Sequence, residues 1–172
     1  MRAMIMRRFI AAAAALLAAV PIAAAPVAAR ADAASDLVAR GAYLTRAADC
    51  ASCHTIPNGT PFAGGRSFAL PFGVLYSPNI TPDKANGIAG YTDDEWVRML
   101  HDGVGRGGKH LYPAMPYPEY TQMTRNDALA VKAYLMSLAP VQATIPPNQL
   151  RFPFNQRWTM IFWNLVNNPG RR

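Results

Sequence analysis

With 172 residues the chain is long enough for one domain with its own core, and its formal net charge of +7 looks like that of a polyanion binder. That excess is local, because residues 1–31 hold four arginines and no acid, and the other 141 residues carry 13 basic against 10 acidic side chains. With a net +3 and no basic run interleaved with aromatics, nucleic acid is excluded as the expected partner.

The first 31 residues read as a secretory leader. Arg2, Arg7 and Arg8 form a basic start, residues 9–20 an apolar alanine-rich core, and Ala29-Arg30-Ala31 a small-residue cleavage site, with Ala23-Ala24-Ala25 as a second one. The apolar core is too short and too rich in alanine for a confident membrane span, although an uncleaved leader would act as an anchor. The predicted organisation is a leader over 1–31, one domain over 32–140 and an aromatic tail over 141–172.

From Ser35, a good N-cap residue, Leu37, Gly41, Leu44 and Ala48 recur at helical spacing, which predicts a first helix running to His54. It ends in Cys50-Ala51-Ser52-Cys53-His54, a C-x-x-C-H run that uses both cysteines of the chain. This spelling is the attachment signature of c-type haem. At about 100° per residue the two thiols and the imidazole share one narrow helix face, so the thiols can bond two vinyl groups while the imidazole reaches the iron. A thioredoxin-like pair would need a βαβ setting. Zinc would need four ligands, with only His101 and His110 left to join the cysteines. In an oxidising compartment two free cysteines would pair; haem attachment consumes them instead.

Residues 55–91 are punctuated by Pro57, Gly59, Pro61, Gly64, Gly65, Pro71, Gly73 and others, which excludes a long helix or a central strand. An irregular segment of that length wraps something, and a haem supplies apolar surface to wrap. Thr92-Asp93-Asp94-Glu95 is a capping box that opens a second helix with Trp96, Met99 and Leu100 as its apolar stripe, stopping near Gly103. After a further loop, Thr124 caps a third helix with Ala128, Val131, Tyr134, Leu135 and Leu138 on one face, ended by Pro140. Beyond Pro146-Pro147 come Phe152, Phe154, Trp158, Met160, Ile161, Phe162, Trp163, Leu165 and Val166. This run is too short to cross a bilayer. Either it folds back on the core, or residues 152–166 meet a partner or a membrane surface.

His54 fills one axial position of a haem iron. Met115 is the leading candidate for the other, since Pro113 and Pro116 stiffen its loop. Met99, Met123, Met136, Met160, His101 and His110 are the rivals, helical methionine being core filler by default. Histidine–methionine ligation raises the reduction potential and suits an electron carrier, whereas an open sixth site would suit a haem enzyme or sensor. Arg66, Arg106, Lys109 and His110 are candidates to neutralise haem propionates.

A helix, C-x-x-C-H, irregular loops, a loop methionine and a closing helix together resemble class I cytochrome c. That resemblance implies an all-α fold of three main helices with Pro/Gly-rich loops around one covalent haem c, and a crossing of first and last helices at Gly41 and Tyr134. Phe62-Ala63-Gly64-Gly65, Tyr76-Ser77-Pro78-Asn79-Ile80-Thr81-Pro82-Asp83 and His110-Leu111-Tyr112-Pro113-Ala114-Met115-Pro116-Tyr117 are similar to the first haem domain in the cytochrome subunit of membrane-bound alcohol, gluconate, sorbitol and aldehyde dehydrogenases. The resemblance runs from about residue 39 to 166. It implies a periplasmic carrier, not itself an enzyme, that takes electrons from a dehydrogenase subunit and passes them to a quinone-reactive or terminal-oxidase partner. Members of that family usually continue into two more haem domains; one motif here leads us to expect a single-haem relative or a truncated subunit serving as an adaptor.

Overall fold

The computed structural model describes residues 27–168. Helix α1 (Val27–Ala47) leads into a short α2 (Cys50–His54), and α3 (Asp93–Asp102), α4 (Tyr117–Tyr120), α5 (Arg125–Met136) and α6 (Thr159–Asn167) follow. Three short strands, β1 (Ser67–Leu70), β2 (Gly73–Tyr76) and β3 (Gln149–Leu150), form an antiparallel sheet in that order. The fold is mostly helical, as expected, but the exclusion of a central strand from residues 55–91 does not hold: β2 runs between β1 and β3, its Gly73 turning the short hairpin.

Two boundaries differ from expectation. The single helix predicted over 35–54 is broken at Asp49, which takes left-handed angles of φ 50° and ψ 38°. Aspartate tolerates that region because its short polar side chain bonds locally, so the cysteine motif turns away from the axis of α1 yet remains helical. Ser35 caps nothing; it lies inside α1, with its hydroxyl donating to the Asp32 carbonyl at 2.7 Å. The predicted leader boundary at 31/32 therefore falls within α1, and residues 1–26 lie outside the described residues.

The other two predicted helices match. Thr92 accepts from the Glu95 backbone N–H while the Glu95 carboxylate accepts from Thr92, and Gly103 closes α3 at φ 64°. Thr124 accepts from the Asp127 N–H at the start of α5. Such caps satisfy otherwise orphaned backbone groups at about 1 kcal/mol each.

Packing then joins the ends of the domain. Gly41 is buried where α1 crosses α5; a Cβ there would run into the Ala130 carbonyl group and lie 2.8 Å from the Tyr134 Cβ. Leu37, expected on the same face, is exposed: it lines an open groove beside Leu129, Lys132, Ala133 and Met136 of α5. The core gathers Phe62, Ile80, Trp96, Leu100, Val131 and Leu135. Trp96 Nε1 donates to the Ala128 carbonyl at 2.8 Å, locking α3 to α5.

From Pro140 the chain runs back as a strap. The Asn79 side chain donates to the Val141 carbonyl at 2.7 Å, the Val141 N–H donates to the Thr81 hydroxyl at 3.1 Å, and Asn86 donates to the Ala143 carbonyl at 2.6 Å. The strap ends in β3, beside β2. The tail thus folds back on the domain, but only by one face of α6: Met160 and Asn164 are buried, while Trp158, Ile161, Phe162, Leu165 and Val166 are exposed.

Candidate functional site

Helix α2 presents the two cysteines as free, half-buried thiols. The turn between them is pinned by Arg66, whose Nη1 donates to the Ser52 carbonyl at 2.6 Å. His54, the last residue of α2, is buried, and its Nδ1 lies 2.8 Å from the Pro78 carbonyl oxygen. A carbonyl oxygen only accepts, so Nδ1 carries the proton and Nε2 keeps its lone pair. Burial holds the imidazole below its ordinary pKa, the Pro78 bond opposing only in part, so the ring is neutral near pH 7. A fixed neutral imidazole with one nitrogen free is what a metal ligand requires.

The loops explain why Pro78 stands there. The Gly64 N–H donates to the His54 carbonyl at 2.8 Å, and Gly64, at φ 76°, lies so close to Pro78 and Asn79 that a Cβ would overlap their backbone atoms. Only glycine allows this approach. The next residues hold it: Asn79 is buried, its Oδ1 accepting from the Thr81 N–H at 2.8 Å and the Thr81 hydroxyl at 2.7 Å. The Ser77–Asp83 stretch thus both orients the histidine and anchors the strap. Nothing in its spelling shows this, because the bond to His54 uses a backbone oxygen; the Gly64-Gly65 pair was the one visible sign of a close approach.

Across from α2, Met115 sits in a tight loop. Its N–H donates to the Tyr112 carbonyl at 3.0 Å and its carbonyl accepts from the Tyr117 N–H at 2.8 Å. Cys50, Met115 and Met123 share an apolar cavity of about 20 Å³ with Leu100, Tyr120 and Val131. Of the other methionines, Met99 is buried in the core cluster against which Met115 and Met123 pack, Met160 is buried on α6 and Met136 is exposed on α5. His101 Nε2 and His110 Nδ1 are each buried without a hydrogen-bond partner, but neither residue lines the cavity. Met123 is therefore the rival that the structure brings closest to Met115.

Electrostatics separates the readings of the cysteines. Burial pushes the Cys50 thiol up to about 11, the reverse of the lowered pKa that makes a thioredoxin-type thiol reactive. Among the described residues no group of three or more His, Cys, Asp or Glu is placed to hold a metal ion. The donor set fits a covalently held haem instead: two thiols one helical turn apart, a neighbouring imidazole with Nε2 free, and a thioether across apolar walls.

Comparison with known proteins agrees. The family described as "Cytochrome c" matches residues 38–139. The chain is 44% identical over 140 residues to the gluconate 2-dehydrogenase cytochrome c subunit of Pantoea cypripedii, covering 80% of this chain and 32% of that protein. It is 40% identical over 140 residues to the cytochrome c subunit of the alcohol dehydrogenase (quinone) of Gluconacetobacter polyoxogenes, covering 81% of this chain and 30% of that one. Against the fructose dehydrogenase cytochrome subunit of Gluconobacter japonicus the figures are 43% over 131 residues, 75% and 27%. The chain thus spans about a third or less of the length of these relatives.

Proposed function

Because the chain belongs to the cytochrome c family, whose members hold haem through a C-x-x-C-H run, we propose that it is a single-haem electron carrier with Cys50 and Cys53 as the thioether residues and His54 and Met115 as the axial ligands. When bound, the haem supplies a one-electron Fe(III)/Fe(II) couple. The protein supplies everything else. Pro78 fixes the His54 ring and its tautomer; Leu100, Val131 and Tyr120 keep the site apolar; the Met115 thioether would be the second protein ligand, and thioether ligation raises the potential. The His54 geometry, one residue after Cys53 and with Nε2 free, is the observation that carries this reading.

The relatives' names make a dehydrogenase subunit the proposed electron donor; a quinone-reactive or oxidase partner as acceptor and the periplasm as the compartment rest on the resemblance and on the leader read in residues 1–31. No helix among the described residues is long and apolar enough to cross a membrane. The exposed face of α6, with Trp158, Ile161, Phe162 and Leu165, is the proposed contact with the membrane surface, where aromatic side chains sit at the headgroup level. Trp158→Ser with Phe162→Ser should lower binding to anionic vesicles by at least tenfold in a sedimentation assay; unchanged binding would assign this face to a protein instead.

Met115→Ala tests the sixth ligand. The ferric protein should lose its weak far-red methionine-to-iron band, and the ferrous protein should gain carbon monoxide binding; Met123→Ala should change neither. If instead the wild-type spectrum is already high-spin and shifted by carbon monoxide, the carrier reading gives way to a haem enzyme or sensor with an open site.

A further inference from the structure

The loop that carries Met115 is held at both ends by the C-terminal segment. On the upstream side, the Tyr112 hydroxyl donates to the Phe154 carbonyl at 2.9 Å, and its ring lies 4.5 Å beneath the Arg157 guanidinium. Arg157 Nη1 also donates to the His110 carbonyl at 2.8 Å. On the downstream side, Tyr117 is fully buried at 0% exposure, its hydroxyl donates to Asn164 Oδ1, and its ring meets Trp163 edge-to-face with centroids 5.8 Å apart. Asn164, itself 2% exposed, turns its amide to the Asp102 carbonyl at 3.1 Å.

Asn164 is the informative residue. It is a polar side chain buried beneath a helix that reads Thr-Met-Ile-Phe-Trp-Asn-Leu-Val-Asn, and a buried amide costs free energy unless it is bonded. Both its polar atoms are spent, one on Tyr117 and one on the end of α3. Since the Tyr117 N–H itself holds the Met115 carbonyl at 2.8 Å, the path from α6 to the methionine is two hydrogen bonds long. We propose that α6 and Arg157 are the positioning element of the sixth ligand: the tail presses the 112–117 loop into the geometry in which its thioether stays on the iron. This rests on Met115 being that ligand. A weak bond from a loop methionine competes with opening of the loop, and tethering both ends lowers the entropy gained by opening.

The test uses the full-length, haem-loaded chain and free imidazole, which competes for the sixth position of the ferric iron. Tyr117→Phe keeps the ring and removes only the tether; it should raise the apparent imidazole affinity about tenfold, the effect of one buried hydrogen bond, and weaken the far-red band. Arg157→Ala should act in the same direction. Val166→Ala, on the same helix but 77% exposed, is the control and should do neither. Tyr117→Phe spares the fold if Asn164→Leu does not. Imidazole affinities within twofold of wild type for Tyr117→Phe and Arg157→Ala, with Met115→Ala raising it strongly, would overturn the tether alone. An unchanged Met115→Ala would overturn the ligand assignment and the tether together.

Discussion

Gly41→Ala should destabilise the protein by about 2 kcal/mol, even though alanine is the better helix former by up to about 1 kcal/mol. The two effects do not meet on equal terms. The new methyl would overlap the Ala130 carbonyl group, with the carbonyl carbon only 2.6 Å away, and would crowd the Tyr134 Cβ at 2.8 Å. A backbone carbonyl cannot rotate aside as a side-chain end can, so α1 and α5 must separate. Overpacking of this kind costs about 1–3 kcal/mol and sometimes more, out of a total stability of about 5–15 kcal/mol. A fall in the urea midpoint at unchanged slope would show it. Adding Tyr134→Ala should not restore the midpoint, because the main obstacle is backbone; an equal or higher midpoint for Gly41→Ala alone would refute the account.

Cys50→Ser combined with Cys53→Ser should remove covalent haem entirely. The expected wild-type result is one iron per chain and a haem band that survives denaturing electrophoresis. The double variant should show no such band. Each single variant should keep one thioether and shift the absorption of the denatured haem. Haem that stays on the chain through denaturation in the double variant would place the attachment elsewhere, and wild-type protein with two titratable thiols and no iron would remove the haem reading.

Local chemistry was legible and long-range geometry was not. Thr92 with Glu95, and Thr124 with Asp127, are contacts three residues apart, so the sequence order alone places both caps. The C-x-x-C-H run is likewise contained within one turn of helix. By contrast, the left-handed Asp49 that separates α1 from α2 carries no glycine to announce it. The hairpin of β1 and β2 hid in a stretch read for its prolines and glycines; its strands are four residues each and gain a third partner only from residues 149–150. Leu37 has the spacing of a core residue but lines an open groove beside α5 and stays exposed. Asn164 interrupts an apolar run, and only the placement of Tyr117 and Asp102 against it shows what its amide does.

The two walls of the site differ in how far apart in the chain their contacts lie. His54 is held by residues 64 and 78, the latter 24 positions away, whereas the Met115 loop depends on partners 47 positions downstream, and Tyr120 beneath it bonds to Ala48, 72 positions back. Doubling a loop costs only about 0.6 kcal/mol in closure entropy. Order of synthesis makes the larger difference. A chain made N-terminus first has every partner of His54 in hand once residue 78 has emerged, while the opposite wall must wait for Asn164. A chain that has emerged only as far as residue 78 thus holds both of the bonds that fix His54, while the Met115 loop gains its tethers only with residues 154–164.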